Sequence, residues 1–365
     1  MNNKNPSQQQ LNNLLEHYQN RRFNEAEKLA IHITKAFPKH KFAWQVLGAV
    51  LGTTGRKSEA VVANQTAVVL SPQDAAAHSN LGKTLQDLGR LEEALASYTQ
   101  AISLKPEFTE AQYNMGVLLQ ELGRLEEALA SYIQATILKP EFAGAHINLG
   151  VTLQELGRLD EAEASSRQAI ALKPDLAEAH NNLGVTLQEL GRLDEAEASS
   201  RQAIALKPDL AEAHNNLGKT LQDLGRLQEA LVSYARAIEL KPDYDKALVN
   251  LGIAIETITF NSANPNLYPL LTRLLITGNF TRPINVAVSI LSLLKHDTQI
   301  KDLILEKNFA VSLNEATSII KSLYKIPLLH HLMRVCPLPD LQFEALFISI
   351  RSFLLKNLDN IDVST

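Results

Sequence analysis

Within residues 177–190, His180, Leu183, Gly184 and Leu187 fall on one stripe when the chain is wound at about 3.6 residues per turn. Glu178, Asn182, Val185 and Glu189 fall on the opposite side. The pattern predicts an amphipathic helix packed along its small and apolar stripe. It returns every 34 residues, and residues 151–184 and 185–218 are identical letter for letter. Prolines keep the same period at Pro38, Pro72, Pro106, Pro140, Pro174, Pro208 and Pro242. Glycines keep it from Gly48 to Gly252 and alanines from Ala26 to Ala230. With the proline numbered 32, repeats begin at residues 7, 41, 75, 109, 143, 177, 211 and 245. A period of this length marks a solenoid, in which each unit touches only its neighbours and copying a unit adds length without redesign.

Each unit reads as two helices. The first ends at the glycine of an LGR turn (Gly89, Gly123, Gly157, Gly191, Gly225), a residue suited to the left-handed conformation past a helix C-terminus. The second opens on acidic residues such as Asp160 and Glu161, which complement the helix dipole. It closes on LKP, where proline stops it. The DLAE stretches, Asp175–Glu178 and Asp209–Glu212, have capping-box spacing with Asp in first place. Small residues at positions 8 and 20 are expected to let the paired helices approach; a branched chain there would overpack by about 1–3 kcal/mol. Position 24 is Tyr98, Tyr132 and Tyr234 in three repeats but Ser166 and Ser200 in the identical pair, which should pack less tightly.

The joint proline, glycine and alanine registers resemble the tetratricopeptide repeat over residues 7–258. The resemblance implies an all-α fold, a right-handed α-solenoid followed by a smaller helical region. Residues 1–40 would be a polar N-terminus and degenerate capping repeat. Residues 41–258 would hold six full repeats and a final first helix, and 259–365 a helical domain or connector. The first unit keeps Ala26 and Pro38 but lacks the Leu-Gly step, as a cap would.

Position 6 is Asn80, Asn114, Asn148, Asn182, Asn216 and Asn250 in six consecutive units, opposite the packing stripe. A carboxamide offers one acceptor and two donors and so can pair with the C=O and N–H of a peptide backbone together. Six at constant spacing would form a ladder for an extended chain, blind to most of its side chains. The resemblance implies that the first helices line a concave groove, and the array is similar to that of O-linked N-acetylglucosamine transferases, where asparagines at this position hold substrate peptide. The alternative is that these asparagines merely cap or hydrate the groove. Acidic residues at position 13 (Asp87, Glu121, Glu155, Glu189, Asp223) form either a solvated face or a preference for neutral or basic peptides; Lys83 and Lys219 are exceptions at position 9. The basic clamp of chaperone-tail binders is missing: position 5 reads Ser79, Tyr113, Ile147, Asn181 and Asn215.

Composition narrows the partners. The chain has 365 residues, with 35 Lys+Arg against 40 Asp+Glu and a formal charge of -5. That balance lacks the basic stripe nucleic acid requires. One cysteine, Cys336, excludes an internal disulfide. MNNKNPSQQQ lacks a signal-peptide core, and INVAVSILSLL at 284–294 is too short to span a bilayer. A cytoplasmic protein is expected, with no cofactor and no nucleotide, nucleic-acid or membrane partner. AHSNLGKT (77–84) and AHNNLGKT (213–220) approach a phosphate-loop pattern, but alanine replaces its first glycine and both lie inside predicted helices. His78, His146, His180 and His214 share position 4, too far apart for one metal, and His330, His331 and Cys336 lack a fourth ligand at convincing spacing.

After Ile258 the period fails at TFNSANPNLYP. Helices are predicted over 267–277, 283–296, 298–308, 313–325, 326–334 and 339–358, with a capping box at Ser312–Glu315. The last is unusually apolar (Leu341, Phe343, Leu346, Phe347, Ile350, Phe353, Leu354, Leu355). LLHHLMRVCPLPDLQFEALF resembles the connector of bacterial tetratricopeptide–methyltransferase fusions. The expected function is a non-catalytic scaffold that binds an extended peptide or a partner protein in its groove. The alternative is the substrate-docking part of a glycosyltransferase or methyltransferase whose catalytic domain is absent from this chain.

Overall fold

The repeat unit is realised as a helix pair throughout. A computed structural model describes residues 5–277, 281–298, 300–301, 323, 326–336, 340, 342–345 and 348, and no strand occurs among them. The pairs are α1 (Gln8–Gln19) with α2 (Phe23–Ala36), α3 (Lys41–Thr53) with α4 (Lys57–Leu70), and α5 (Ala75–Asp87) with α6 (Leu91–Leu104). Then come α7 (Thr109–Glu121) with α8 (Leu125–Leu138), α9 (Ala143–Glu155) with α10 (Leu159–Leu172), and α11 (Ala177–Glu189) with α12 (Leu193–Leu206). The array ends with α13 (Ala211–Asp223), α14 (Leu227–Leu240) and the single first helix α15 (Asp245–Glu256). Contacts divide the chain into two compact units, residues 1–186 and 187–365.

The turn between paired helices is the same in every full repeat. Gly89 has φ +74°, its N–H donates to the Gln86 carbonyl at 2.8 Å, and the Arg90 N–H donates to the Leu85 carbonyl at 2.9 Å. These are the two bonds of a Schellman motif, which satisfy carbonyls left over at the helix end. Gly123, Gly157, Gly191 and Gly225 repeat the positive φ. The next residue, an arginine, occupies the N-cap of the second helix and grips the glutamate three residues on, as in Arg90 Nε and Nη2 to Glu93 at 2.7 and 2.6 Å. These pairs are solvent-exposed, so they add little to stability. In the first repeat Arg21 stands where the glycine should be, with φ 56°.

The DLAE reading is corrected at Asp209. Helix α13 starts at Ala211, its N-cap is Leu210, and no side chain caps it. Asp209 lies one residue too early to reach the N2 and N3 amides. In the second repeat the aspartate stands one place later, and Asp74 accepts from the N–H groups of Ala76 and Ala77 at 3.1 and 3.4 Å.

The buried stripe of the first helices is wider than the periodicity suggests. Beside the leucines at positions 7 and 11, the alanines at position 3 (Ala77, Ala111, Ala145) and threonines at position 10 (Thr84, Thr152) are buried. Position 4 is only half-buried. There the Nε2 atoms of His78, His146 and His180 lie 3.0 Å from the carbonyls of Pro72, Pro140 and Pro174. A carbonyl only accepts, so each imidazole donates. Trp44 Nε1 makes the same bond to Pro38 at 2.8 Å. These side chains tie a first helix to the loop that precedes it.

The glycine at position 8 meets residue 24, rather than the alanine at position 20. A Cβ on Gly82 would sit 2.8 Å from the Tyr98 ring, and one on Gly116 2.7 Å from the Tyr132 ring. Both rings are fully buried on bare backbone. At Gly150 the opposing atom is Ser166 Oγ at 3.1 Å, and at Gly48 it is the Asn64 carboxamide. The Ala26, Ala60, Ala94, Ala128 and Ala162 side chains at position 20 are fully buried as well.

In the second unit a 3₁₀ turn, Pro265–Leu267, leads into α16 (Tyr268–Thr277), followed by α17 (Pro283–Leu294) and α18 (Pro327–Val335). Proline opens α17 and α18, where its missing N–H costs nothing. One buried cluster runs from Leu217 through Tyr234, Leu251, Leu274, Ile290 and Leu329 to Phe343. Helix α18 and Phe343 therefore share a core with the last repeats. The helices predicted over 298–308, 313–325 and 339–358 and the Ser312–Glu315 box fall largely outside the described residues.

Two substitutions test these contacts. Arg21→Gly relieves a left-handed arginine and should stabilise the fold by about 1 kcal/mol in urea unfolding; a lower midpoint would contradict the turn assignment. Gly116→Ala drives a methyl into the Tyr132 ring and should cost about 1–3 kcal/mol. Gly150→Ala meets the Ser166 hydroxyl at 3.1 Å and, at ordinary contact distance, the Ala162 carbonyl at 3.4 Å, so the gain of up to about 1 kcal/mol in helix propensity should leave it near neutral. Equal losses at both sites would show that residue 24 does not set the helix approach.

Candidate functional site

In the first unit α3 packs beside α5, α5 beside α7 and α7 beside α9. Along this layer Asn80 is exposed and Asn114, Asn148 and Asn182 are half-buried. The backbones of Asn80, Asn148 and Asn182 are fixed from behind. Thr84 Oγ1 donates to the Asn80 carbonyl at 2.8 Å, Thr152 to Asn148 at 2.9 Å and Thr186 to Asn182 at 3.0 Å. The Asn80 and Asn114 carboxamides have no partner among the described residues. Asn148 Nδ2 donates to the Tyr113 hydroxyl at 3.0 Å. Asn181 Nδ2 donates to Asn182 Oδ1 at 3.5 Å.

The second unit holds the other two asparagines in the same way. Asn250 Nδ2 donates to Asn215 Oδ1 at 2.9 Å, and Asn215 Nδ2 to Asn216 Oδ1 at 3.3 Å. Thr220 Oγ1 backs the Asn216 carbonyl at 3.0 Å. Position 5 thus orients position 6, a role that sequence reasoning missed. It weighed Tyr113, Asn181 and Asn215 only as places where a clamp lysine would stand. The available signal is that a polar position 5 is followed 35 residues later by the asparagine it reaches.

A second ladder runs beside the first. Tyr98 Oη donates to Gln86 Oε1 at 3.3 Å, and Gln86 Nε2 donates to the Glu121 carboxylate of the next repeat at 3.0 Å. Tyr132, Gln120 and Glu155 repeat this relay at 3.2 and 3.2 Å. In the second unit Tyr234 donates to Gln222 at 2.9 Å, and Gln188 donates to Asp223 at 2.5 Å. Of the position-13 carboxylates named from the sequence as a solvated or selective row, Glu121, Glu155 and Asp223 are therefore exposed but held in place. Burial pushes the Tyr98 and Tyr132 phenols above their ordinary range, with the nearby Asp87 carboxylate and Tyr113 phenol, respectively, adding to it.

The remaining motifs resolve structurally. Lys83 and Thr84 lie within α5, and Lys219 and Thr220 within α13, where backbone N–H groups are committed to the helix. His330 and His331 stack edge to face at 5.8 Å, and Cys336 Sγ leans on the Leu332 carbonyl. Among the described residues no three His, Cys, Asp or Glu side chains gather as a metal site. None of the described helices is long and apolar enough to cross a membrane.

Comparison with known proteins agrees with this architecture. Family profiles described as "Tetratricopeptide repeat" match residues 141–209 and 175–243, and as "TPR repeat" residues 86–123 and 120–157. Among solved structures, a tetratricopeptide repeat protein from Parabacteroides merdae aligns with a TM-score of 0.52 at 17% identity, over 68% of this chain and 99% of that one. The Cut9–Hcn1 hetero-tetramer of the APC/C aligns at 0.56 and 18% identity, over 66% of this chain and 48% of that one. YrrB, described as a TPR protein with an unusual peptide-binding site, aligns at 0.44 and 27% identity, over 51% and 95%. No curated protein matches the chain. Over residues 86–243 the repeats are tetratricopeptide repeats by these profiles, and the helix-pair fold is of the same kind.

The buried phenols carry a pH consequence. Their folded pKa values are raised above the unfolded value of about 10. The stability they confer is fully present below that value and is lost as pH rises through the folded pKa. Urea midpoints should therefore fall above about pH 10, and a Tyr98→Phe/Tyr132→Phe variant, which keeps the rings, should show a shallower fall. Identical alkaline slopes would remove the phenols as the cause.

Proposed function

We propose that this chain, whose array belongs to the tetratricopeptide repeat family, is a non-catalytic interaction scaffold that holds an extended peptide segment of a partner along the first-helix face. The observation that carries this reading is the row of position-6 carboxamides, Asn80, Asn114, Asn148 and Asn182 in the first unit and Asn216 and Asn250 in the second. The backbones of Asn80, Asn148, Asn182 and Asn216 are clamped by position-10 threonines, and several of the amides are oriented by position 5. A carboxamide so held presents a donor and an acceptor at the repeat period, matched to the donor and acceptor of a peptide unit. The interaction uses the partner's main chain, as strand-addition ligands do, so its affinity depends little on side chains.

The adjacent carboxylates, Glu121 and Glu155, add a negative edge that favours neutral or basic segments. Their glutamine partners reduce the ordering cost of using them, because the side chains are already placed.

The test is a triple variant in the first unit, Asn114→Ala/Asn148→Ala/Asn182→Ala, titrated with peptides selected on the wild-type protein from a displayed library of random dodecapeptides. If each hydrogen bond contributes about 0.5–1.5 kcal/mol and effects add, affinity should fall by about 2–5 kcal/mol while the melting temperature barely moves. Unchanged affinity would remove this face as the binding surface. A large drop in melting temperature would make the asparagines structural.

A further inference from the structure

The second repeat lacks both members of the tyrosine–glutamine relay. Position 24 is Asn64 where the third and fourth repeats have Tyr98 and Tyr132, and position 12 is Gly52 where they have Gln86 and Gln120. Among the full repeats of the first unit, the second alone lacks both the ring and the glutamine, and the space they would fill is open. A cavity of about 350 Å³ lies there, lined by Tyr18, Gly52, Asn64, Asn80, Lys83 and Asp87 among others.

The polar groups around the cavity show what is missing. In the following repeats the position-13 carboxylate accepts from the glutamine of the preceding repeat, Gln86 to Glu121 and Gln120 to Glu155. Asp87 is the position-13 residue served by position 12 of the second repeat, and a glycine stands there. Its carboxylate has no hydrogen-bond donor among the described residues. Asn64 is 1% exposed; its Nδ2 donates to Thr84 Oγ1 at 2.8 Å, while its Oδ1 has no partner. One exposed acceptor, the Asp87 carboxylate, thus lacks a donor in a pocket sized for a large side chain, while the Asn64 oxygen is buried against Gly48.

The occupant follows by elimination. Lys83, which forms no ion pair among the described residues, disfavours lysine or arginine, and Asp87 disfavours a carboxylate. A neutral side chain that carries a donor fits, and the bare backbone at Gly52 leaves room for it where Gln86 and Gln120 stand in the following repeats. We propose that this cavity is a specificity pocket for a tyrosine side chain of the bound peptide, whose ring takes the space of the absent Tyr–Gln pair and whose hydroxyl donates to Asp87. The inference rests on the peptide-binding reading of the face and adds to it a sequence preference at one point of an otherwise backbone-directed surface.

The experiment uses the full chain and N-acetyl-L-tyrosinamide, followed by backbone amide chemical shifts, with N-acetyl-L-phenylalaninamide as the comparison. Tyrosinamide should produce saturable shifts at Gly52, Asn64, Lys83 and Asp87. It should bind about tenfold more tightly than the phenylalanine analogue, the effect of one hydrogen bond to a charged acceptor. Asp87→Ala, an exposed position that should fold normally, should erase that preference. Gly52→Gln/Asn64→Tyr, which supplies the relay in cis, should abolish binding of both. Absence of saturable shifts at these residues overturns the pocket, as do equal affinities for the two analogues or binding that survives the double substitution. The asparagine triple variant lies outside the pocket, so loss of its effect with tyrosinamide binding intact would count against the peptide-binding reading alone.

Discussion

The contact on which the array depends is a buried side chain at position 24 laid on a bare glycine at position 8. In the third and fourth repeats a tyrosine ring rests where a single Cβ would intrude. This allows two helices to close to backbone contact while burying one of the largest side chains available, and ring burial of this kind supplies much of a small unit's stability. The left-handed glycine of the turn and the fully buried alanine at position 20 serve the same end, since the pair can approach only if the chain reverses tightly and nothing branched stands between.

The surface chemistry grows out of that packing. Because the Tyr98 and Tyr132 rings are seated on glycine, their hydroxyls emerge at the edge of the first helix, beside the position-12 glutamines. The glutamines then reach the carboxylates of the next repeat, so one internal contact organises a row of charges on the outside. The asparagine row is ordered independently, by threonines behind it and position-5 side chains beside it. Binding faces of repeat proteins are expected to be modular in this sense, because each unit interacts only with its neighbours.

Modularity also makes exceptions informative. The identical fifth and sixth repeats replace the ring with Ser166 and Ser200, both fully or almost fully buried, and Ser200 Oγ has no hydrogen-bond partner. The second repeat replaces it with Asn64 and removes the glutamine too. A repeat lacking only the ring stays closed around a hydroxyl, as at Gly150 and Ser166. The repeat lacking both members of the relay opens a cavity and strands a carboxylate without its donor.

The helix pairs, their turns, the repeat boundaries and the row of position-6 asparagines were legible in the sequence alone. Period, proline, glycine and alanine registers are local properties, and a stack of identical units lets local rules extend over the whole array. The relay, the orientation of Asn148 by Tyr113 and the cavity at Asn64 were not legible. Each joins residues whose spacing, 12 or 35 along the chain, acquires meaning only once two helices pack or two repeats stack. The misplaced cap at Asp209 has the same origin in miniature: a capping-box spacing is a necessary pattern, but only the packed helix decides which residue stands at its first turn. Past Ile258 the period fails, and only the tertiary structure shows that Leu274, Ile290, Leu329 and Phe343 complete the core begun by Leu217 and Tyr234. Aperiodic helices carry no register from which their partners can be read.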